Sequence, residues 1–247
     1  LNVFQYSPTE NGSNVRRLGV LYLDSRERGY LQQASALHAL AAEAAVVIEN
    51  ARLYQEVVER ERVTQELRIA AQMQQSLLPP AFHRAEYAEL CAVTTPCRAV
   101  GGDLFDYAIR PDGQLAFTVA DVAGKGTSAA LLTAVVQGLF AAEAETLDGP
   151  AVVVTRVNSA LCRRAIASRF VTAFYAQLGP DGDLAFCNAG HNPPFLVSGG
   201  TVKRLEAGGT VLGLFDRGVS ETGHERVQPG DMVVLYSDGV TEAENSA

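Results

Sequence analysis

Three short stretches of this sequence place carboxylates beside glycines. They are Gly101-Gly102-Asp103-Leu104-Phe105-Asp106, Asp121-Val122-Ala123-Gly124-Lys125-Gly126 and Ser237-Asp238-Gly239. Hard divalent cations take several oxygen ligands, and Asp side chains supply them. A neighbouring glycine lets main-chain carbonyls and water approach the same ion closely. Two ions about 4 Å apart can share a carboxylate, lower the pKa of a water between them and clamp an in-line phosphoryl displacement. Singly, an Asp-Gly pair is more often a turn than a ligand. The second stretch also has the outline of a phosphate-cradling loop, with Gly and Lys between a strand and a helix. Its Gly-Lys-Gly is not Gly-Lys-Ser/Thr and the upstream glycine is missing, so nucleotide binding is rejected.

The elements that must position these residues alternate. Leu115–Asp121 reads as a strand, Thr127–Ala144 and Pro150–Ser168 as helices. Phe170–Leu178, Leu184–Asn188, Phe195–Val197, Val202–Leu205 and Met232–Tyr236 read as further strands. Turns are marked at Pro111-Asp112-Gly113, Pro180-Asp181-Gly182 and Ser198-Gly199-Gly200. Strands outnumber helices and many are joined by hairpins, so the expected fold is α+β, with antiparallel sheets covered by a helix pair. Upstream, Arg17–Asp24 reads as a strand. From Leu31 to about Leu78 there is no Pro or Gly, and the pattern is helical until Pro79-Pro80. Leu37, Leu40, Ala44, Val47, Ala51, Tyr54 and Val58 fall on one apolar seam, and Val63, Leu67, Ala70, Gln74 and Leu77 on a second. The registers do not join, which places a stutter-like discontinuity near Glu59–Arg62. The pattern favours a parallel dimeric coiled coil; the alternative is a single amphipathic helix lying on its own domain.

GGDLFD at 101–106, DVAGKG at 121–126, AGHNPP at 189–194 and SDGVTEA at 237–243 follow one another as in a known family, with QMQQSLLPP at 72–80 as its usual lead-in. From about Gln74 to Ala247 the chain resembles the bacterial PPM-type phosphatases of the SpoIIE/RsbU kind. The resemblance implies an antiparallel β-sandwich flanked by helices. It implies hydrolysis of phosphoserine or phosphothreonine on an anti-anti-sigma (STAS-type) protein by metal-activated water, with Mn²⁺ or Mg²⁺, two ions in the complete domain. By position, Asp121 would bridge both metals and the Val122 carbonyl would be a further ligand. Asp238 would bind one metal, and Asp103 would bind the other or orient its waters, with Asp106 a weaker candidate. Asp121, Asp103 and Asp238 are thus the expected catalytic residues. Lys125, His191 and Asn192 are carried as substrate-binding candidates. His191 suits a general acid by its ordinary pKa, but a tight turn before the strand at Phe195 is the favoured reading, and Lys125 reads more simply as a solvated loop residue. The family pattern has a further metal-binding Asp well past SDGVTEA, so the domain is expected to be incomplete at its C-terminus, with poor metal affinity.

LGVLYLD (18–24) followed by ALAAEAAVVIENARLYQEV (39–57) resembles the last strand and exit helix of a GAF sensor domain. The expected organisation is 1–55 as the end of a GAF-like domain, 56–80 as a helical, coiled-coil linker and 81–247 as the phosphatase domain. The linker would make a homodimer and set the position of the elements holding Asp103 and Asp121.

Composition bounds these readings. Of 247 residues, 47% are hydrophobic and 19% charged, enough for a sizeable core. A net charge of −8 argues against nucleic acid as the main partner. Cys91, Cys97, Cys162 and Cys187 form no CxxC pair, so no structural zinc is expected and the thiols are read as free. No apolar run was seen to approach about 18 residues, so no membrane insertion is expected. The N-terminus has no signal-peptide pattern and no initiator Met, so the chain reads as a cytoplasmic fragment. The competing class is non-enzymatic: a pseudophosphatase that binds a partner, or a sensing and dimerisation module.

Overall fold

The chain reverses where its Pro, Asp and Gly residues said it would. Gly113, at φ 82°, lies in the turn in which Arg110 N donates to Gln114 O at 2.9 Å, a left-handed conformation that glycine takes without steric cost. The computed structural model describes residues 2–6, 16–21, 34–96, 99–164, 169–216, 218 and 220–242. The chain divides into two compact units, Leu1–Glu66 and Leu67–Ala247.

In the first unit β1 (Asn2–Tyr6) and β2 (Arg16–Leu21) pair antiparallel. The expected strand therefore starts one residue early, and its continuation at 22–24 lies outside the described residues. Helix α1 (Ala34–Leu77) spans the boundary between the units. It runs unbroken through Glu59–Arg62, where the apolar registers part. The phase break thus lies in the side-chain pattern and leaves the backbone helical, as strong helix formers there allow. Ion pairs Arg60–Glu56 and Arg62–Glu59, both 2.7 Å, lie along this stretch; exposed as they are, they add little. Leu40, Val47, Tyr54 and Val58 of the first seam are exposed, and Ala41, Ala45 and Glu49 form the buried row of that half. In the second unit Leu67, Ala70 and Gln74 are half-buried, so the last turns of the helix lie on their own domain.

Among the described residues, that second unit continues with a hairpin of β3 (Phe82–Arg84) and β4 (Glu89–Cys91), then β5 (Asp103–Ile109) and β6 (Leu115–Val122). Helices α2 (Thr127–Ala144) and α3 (Pro150–Cys162) follow. Then come β7 (Val171–Leu178), β8 (Asp183–Ala189), β9 (Phe195–Ser198), β10 (Thr201–Arg204), β11 (Gly208–Gly209), β12 (Gly223–Arg226), β13 (Met232–Val234) and the short α4 (Asp238–Thr241). Helix α3 stops at Cys162, short of the expected Ser168; residues 165–168 lie outside the described part.

The larger sheet runs β11-β8-β7-β6-β5, with β12 also on β8, and the smaller runs β10-β9-β13. Side chains alternate faces along a strand. On β7, Val171, Ala173 and Tyr175 face a core shared with Leu132, Val136 and Phe140 of α2 and Val153, Val157 and Leu161 of α3. Phe174 and Ala176 face the opposite way, into a second core with Leu184, Phe186, Leu196 and Leu205 and the flanking Val233. The result is a helix layer, a sheet and a second sheet, the expected α+β sandwich. Complete burial of a side chain such as Phe174 or Leu161 contributes roughly 1.5–3 kcal/mol, which makes the middle of β7 the most firmly held part of the sheet.

One expectation is corrected here. Helix α2 is by length and composition apolar enough to cross a membrane. Its apolarity has a different explanation: Ala129, Leu132, Val136 and Phe140 bury one face against β5 and β6.

Candidate metal centre

The acidic stretches meet at one end of the larger sheet. Strands β5 and β6 pair in a register that sets Asp103 opposite Asp121, and the next strand sets Thr172 opposite Asp121. Leu104, Ala120 and Val122 face the helix-side core. By alternation Asp103 and Asp121 therefore share the other face, toward the smaller sheet. The chain leaving β13 delivers Asp238 to the same place, and carboxylate oxygens of Asp103, Asp121 and Asp238 all lie within 4.8 Å of one another. Ser237 Oγ donates to Asp103 Oδ2 at 3.2 Å and ties the two chain segments together.

Three carboxylates this close repel. Asp121 is pushed up to about 6, by burial first and then by the negative charges of Asp103 and Asp238. Burial likewise raises Asp103, with the Ser237 hydrogen bond opposing it. A site of oxygen donors that resists its own ionisation is relieved by a cation, and the donor set suits a hard divalent ion. The main chain fits too. A Cβ on Gly102 would stand 2.7 Å from the Val122 carbonyl oxygen and 2.9 Å from Asp121 Oδ1. Only glycine leaves that carbonyl and carboxylate room beside each other. These residues therefore fit divalent metal.

Other expected residues fall elsewhere. Asp106 lies three residues along β5 from Asp103 and so faces the helix side. Burial raises its pKa, Gln137 of α2 stands beside it, and its Oδ1 accepts from Tyr107 N at 2.9 Å. It is not in the cluster. The Val122 side chain is buried while its carbonyl faces Gly102. Lys125 is exposed. His191 is 5% exposed; its N–H donates to Asn188 Oδ1 at 2.8 Å, Asn188 Nδ2 donates to its carbonyl at 3.0 Å, and its Nδ1 lies 2.9 Å from Thr172 Oγ1. Burial lowers its pKa, with the nearby Asp238 charge opposing, and these bonds describe a turn. Asn192, half-buried, follows it. Cys187 is buried and its thiol pushed up to about 11 by that burial, with no reactive role; Cys97 lies outside the described residues.

Two features had gone unread. Gln74 of α1 makes a paired amide contact with Gly101: its Nε2 donates to Gly101 O at 2.8 Å and its Oε1 accepts from Gly101 N at 3.0 Å. Gln137 Nε2 donates to Leu77 O at 2.6 Å, and Thr133 Oγ1 to Gly102 O at 3.0 Å. The end of α1 and the middle of α2 thus grip the Gly101-Gly102 segment that leads into Asp103. Arg169 reaches the loop after Asp121: its Nη1 donates to Ala123 O at 3.1 Å and its Nη2 to Ser128 Oγ at 2.8 Å. Nothing local signals it, because 46 residues separate it from Ala123 and only the β6–β7 pairing closes that distance.

A helix pair on a sheet sandwich with an acidic end is the architecture of PP2C-like phosphatase domains. The SiaA-PP2C domain of Pseudomonas aeruginosa superposes with a TM-score of 0.60 over 73% of this chain and 74% of that one, at 20% identity. The chain belongs to the SpoIIE family: the family model for stage II sporulation protein E matches residues 111–247, a span that holds Asp121 and Asp238. The phosphoserine phosphatase RsbU of Bacillus subtilis is 32% identical over 186 residues, covering 74% of this chain and 55% of that protein. The structure of the RsbU and RsbW domains of Rv1364c from Mycobacterium tuberculosis superposes with a TM-score of 0.54 at 25% identity, over 61% of this chain and 43% of that one. Protein IcfG of Synechocystis is 28% identical, over 72% of this chain and 33% of its own length. The chain thus spans about half or less of the curated relatives it matches.

Proposed function

We propose that this chain is a metal-dependent protein serine/threonine phosphatase. The observation that carries the reading is the convergence of Asp103, Asp121 and Asp238 from two sheet strands and a separate segment, in a chain of a family with a phosphoserine phosphatase among its relatives. Asp103, Asp121 and Asp238 would hold the divalent ions, with the Val122 carbonyl, close to Gly102, as a further oxygen donor. Mn²⁺ and Mg²⁺ both suit such oxygen donors. When bound, the metal supplies Lewis acidity that activates water and offsets the charge of the phosphoryl group. The protein supplies position: β5 and β6 hold two carboxylates in fixed register, and Ser237 keeps Asp103 turned toward Asp238. His191, buried and bonded within its own turn, serves that turn; Asp238, on the exposed side of the cluster, leaves solvent to protonate the departing serine oxygen.

The proposed substrate is a phosphorylated STAS-type regulatory protein. The proposed organisation has the end of a GAF-like sensor at 1–55, a helical linker at 56–80 and the phosphatase domain at 81–247. The exposed seam of Leu40, Val47, Tyr54 and Val58 is the surface for a second copy of α1. A shift of that helix would reach the metal centre through Gln74 and Gly101, which supports control by the linker. Phosphate release from a phosphoserine protein or peptide under Mn²⁺ titration tests the reading. Activity that disappears in Asp121→Asn supports it; a chain that binds no divalent ion and releases no phosphate sinks it and leaves a partner-binding module.

A further inference from the structure

Arg169 reaches the loop that follows Asp121 and, among the described residues, pairs with no carboxylate. Arg169 directly precedes Phe170, whose carbonyl accepts from Ala123 N at 3.0 Å, and its side chain folds back over the same loop. The guanidinium lies so close to the main chain that a Cβ on Gly124 would stand 2.2 Å from Nη1. Gly124, at φ 109°, takes a backbone conformation that a larger residue resists. This contact therefore depends on glycine twice over.

Two supports, the Ala123 carbonyl and the Ser128 hydroxyl, fix the plane of the guanidinium. Of its five N–H groups, these use two. Among the described residues Arg169 is in no ion pair. Unlike an arginine left on the open surface, it is half-buried and held by two acceptors. A half-buried guanidinium that is held flat, supported by neutral acceptors and left without a carboxylate is arranged to receive an anion. The loop that holds it begins two residues after Asp121, and exposed Lys125 lies in the same loop. A planar fork of N–H groups matches two oxygens of a phosphate better than a point charge does.

We propose that Arg169 is the phosphate-binding residue of this site, holding the dianionic phosphate of a phosphoserine or phosphothreonine, and of the inorganic phosphate left after hydrolysis, through its uncommitted N–H groups. The proposal deepens the phosphatase reading and rests on it. Arg169 contributes binding, so its loss falls mainly on KM and on product affinity; the metal-holding carboxylates are untouched.

The test measures inorganic phosphate binding to the Mn²⁺-loaded chain by calorimetry, beside Mn²⁺ affinity and the kinetics of phosphoserine-peptide hydrolysis. Arg169→Ala removes the whole group. Arg169→Gln keeps a neutral amide that can still donate to Ala123 O, so the loop keeps a support if the alanine variant misfolds. Both are expected to weaken phosphate binding about 10- to 100-fold and to raise KM by a similar factor, with Mn²⁺ affinity within about two-fold of wild type. Arg169→Lys should recover part of the loss, because it restores the charge without the fork. Unchanged phosphate affinity in Arg169→Gln overturns the proposal, as does Mn²⁺ affinity falling in step with phosphate affinity, the mark of a loop brace. A wild-type chain that binds phosphate through Arg169 yet hydrolyses nothing keeps the anion site and defeats the phosphatase reading. Hydrolysis with unchanged KM in Arg169→Gln does the reverse.

Discussion

Strands β5, β6 and β7 end in opposite chemistry. At one end, Asp103 and Asp121 face each other with Asp238 beside them, three acidic groups that, among the described residues, form no ion pair. At the other, Arg110 is buried and tied down through its outer nitrogens: Nη2 donates to Thr146 O at 2.7 Å and lies 3.6 Å from Asp112 Oδ2, while Nε has no partner among the described residues. Gln177 Nε2 donates there to Asp148 O at 2.9 Å, binding β7 to the same α2–α3 connection. One end is left electrostatically incomplete and open to ligand; the other is closed by its own hydrogen bonds. Stability and function thus part company within a single sheet.

The largest expected effect tests the open end. Asp121→Asn should cut phosphate release by about 10³-fold or more, measured under saturating Mn²⁺. Residual activity near wild type would remove Asp121 from the chemistry. Next comes the closed end. Arg110→Ala takes the side-chain donor from the Thr146 carbonyl and empties a buried site, and should cost about 2–4 kcal/mol, a Tm lower by roughly 5–10 °C, while Mn²⁺ affinity holds. If Mn²⁺ affinity falls with it, the two ends are not separable.

The third prediction turns on sign. Asp121 is raised in the fold, so the folded state binds more protons than the unfolded one between about pH 4 and pH 6. The metal-free protein should therefore lose stability as pH rises through that window. Asp121→Asn removes the penalty and should stabilise the metal-free chain at pH 8 by about 1 kcal/mol, after allowance for solvent screening, with no gain below about pH 4. Thermal melts in chelator at both pH values check it; equal shifts at both would show that charge repulsion is not the cause. The smallest effect is Gln74→Leu. It keeps helix α1 but removes the paired amide contact with Gly101, and should weaken Mn²⁺ binding by several-fold, about 1 kcal/mol. Unchanged Mn²⁺ affinity would disconnect the helix from the metal centre.

Much of the open end was legible in the sequence, because glycine-flanked aspartates at strand ends are a local signal. Helix α2 matched its expected bounds for a similar reason: it starts after a glycine loop and its spacing is regular. Strand β5 was harder to read, since Gly101-Gly102 made the stretch resemble a turn. Asp106 stood beside Asp103 as a ligand candidate by its place in the motif; the alternation of β5, visible once the strand is known, turns it to the other face. Gln74 read as a flaw in a coiled-coil seam; its use becomes visible only once Gly101 is brought against it. Arg110 and Arg169 act through partners distant in the chain, and no periodicity records such partners.

Gly102 has a consequence for heredity. Every base change in a glycine codon that alters the residue adds at least one carbon, and here that carbon would meet a main-chain oxygen at 2.7 Å. A main-chain oxygen cannot swing aside as a side chain can. Lineages carrying this fold are therefore expected to cross position 102 only by moving the strand end itself, so that the smallest residue in the site becomes the one least free to drift.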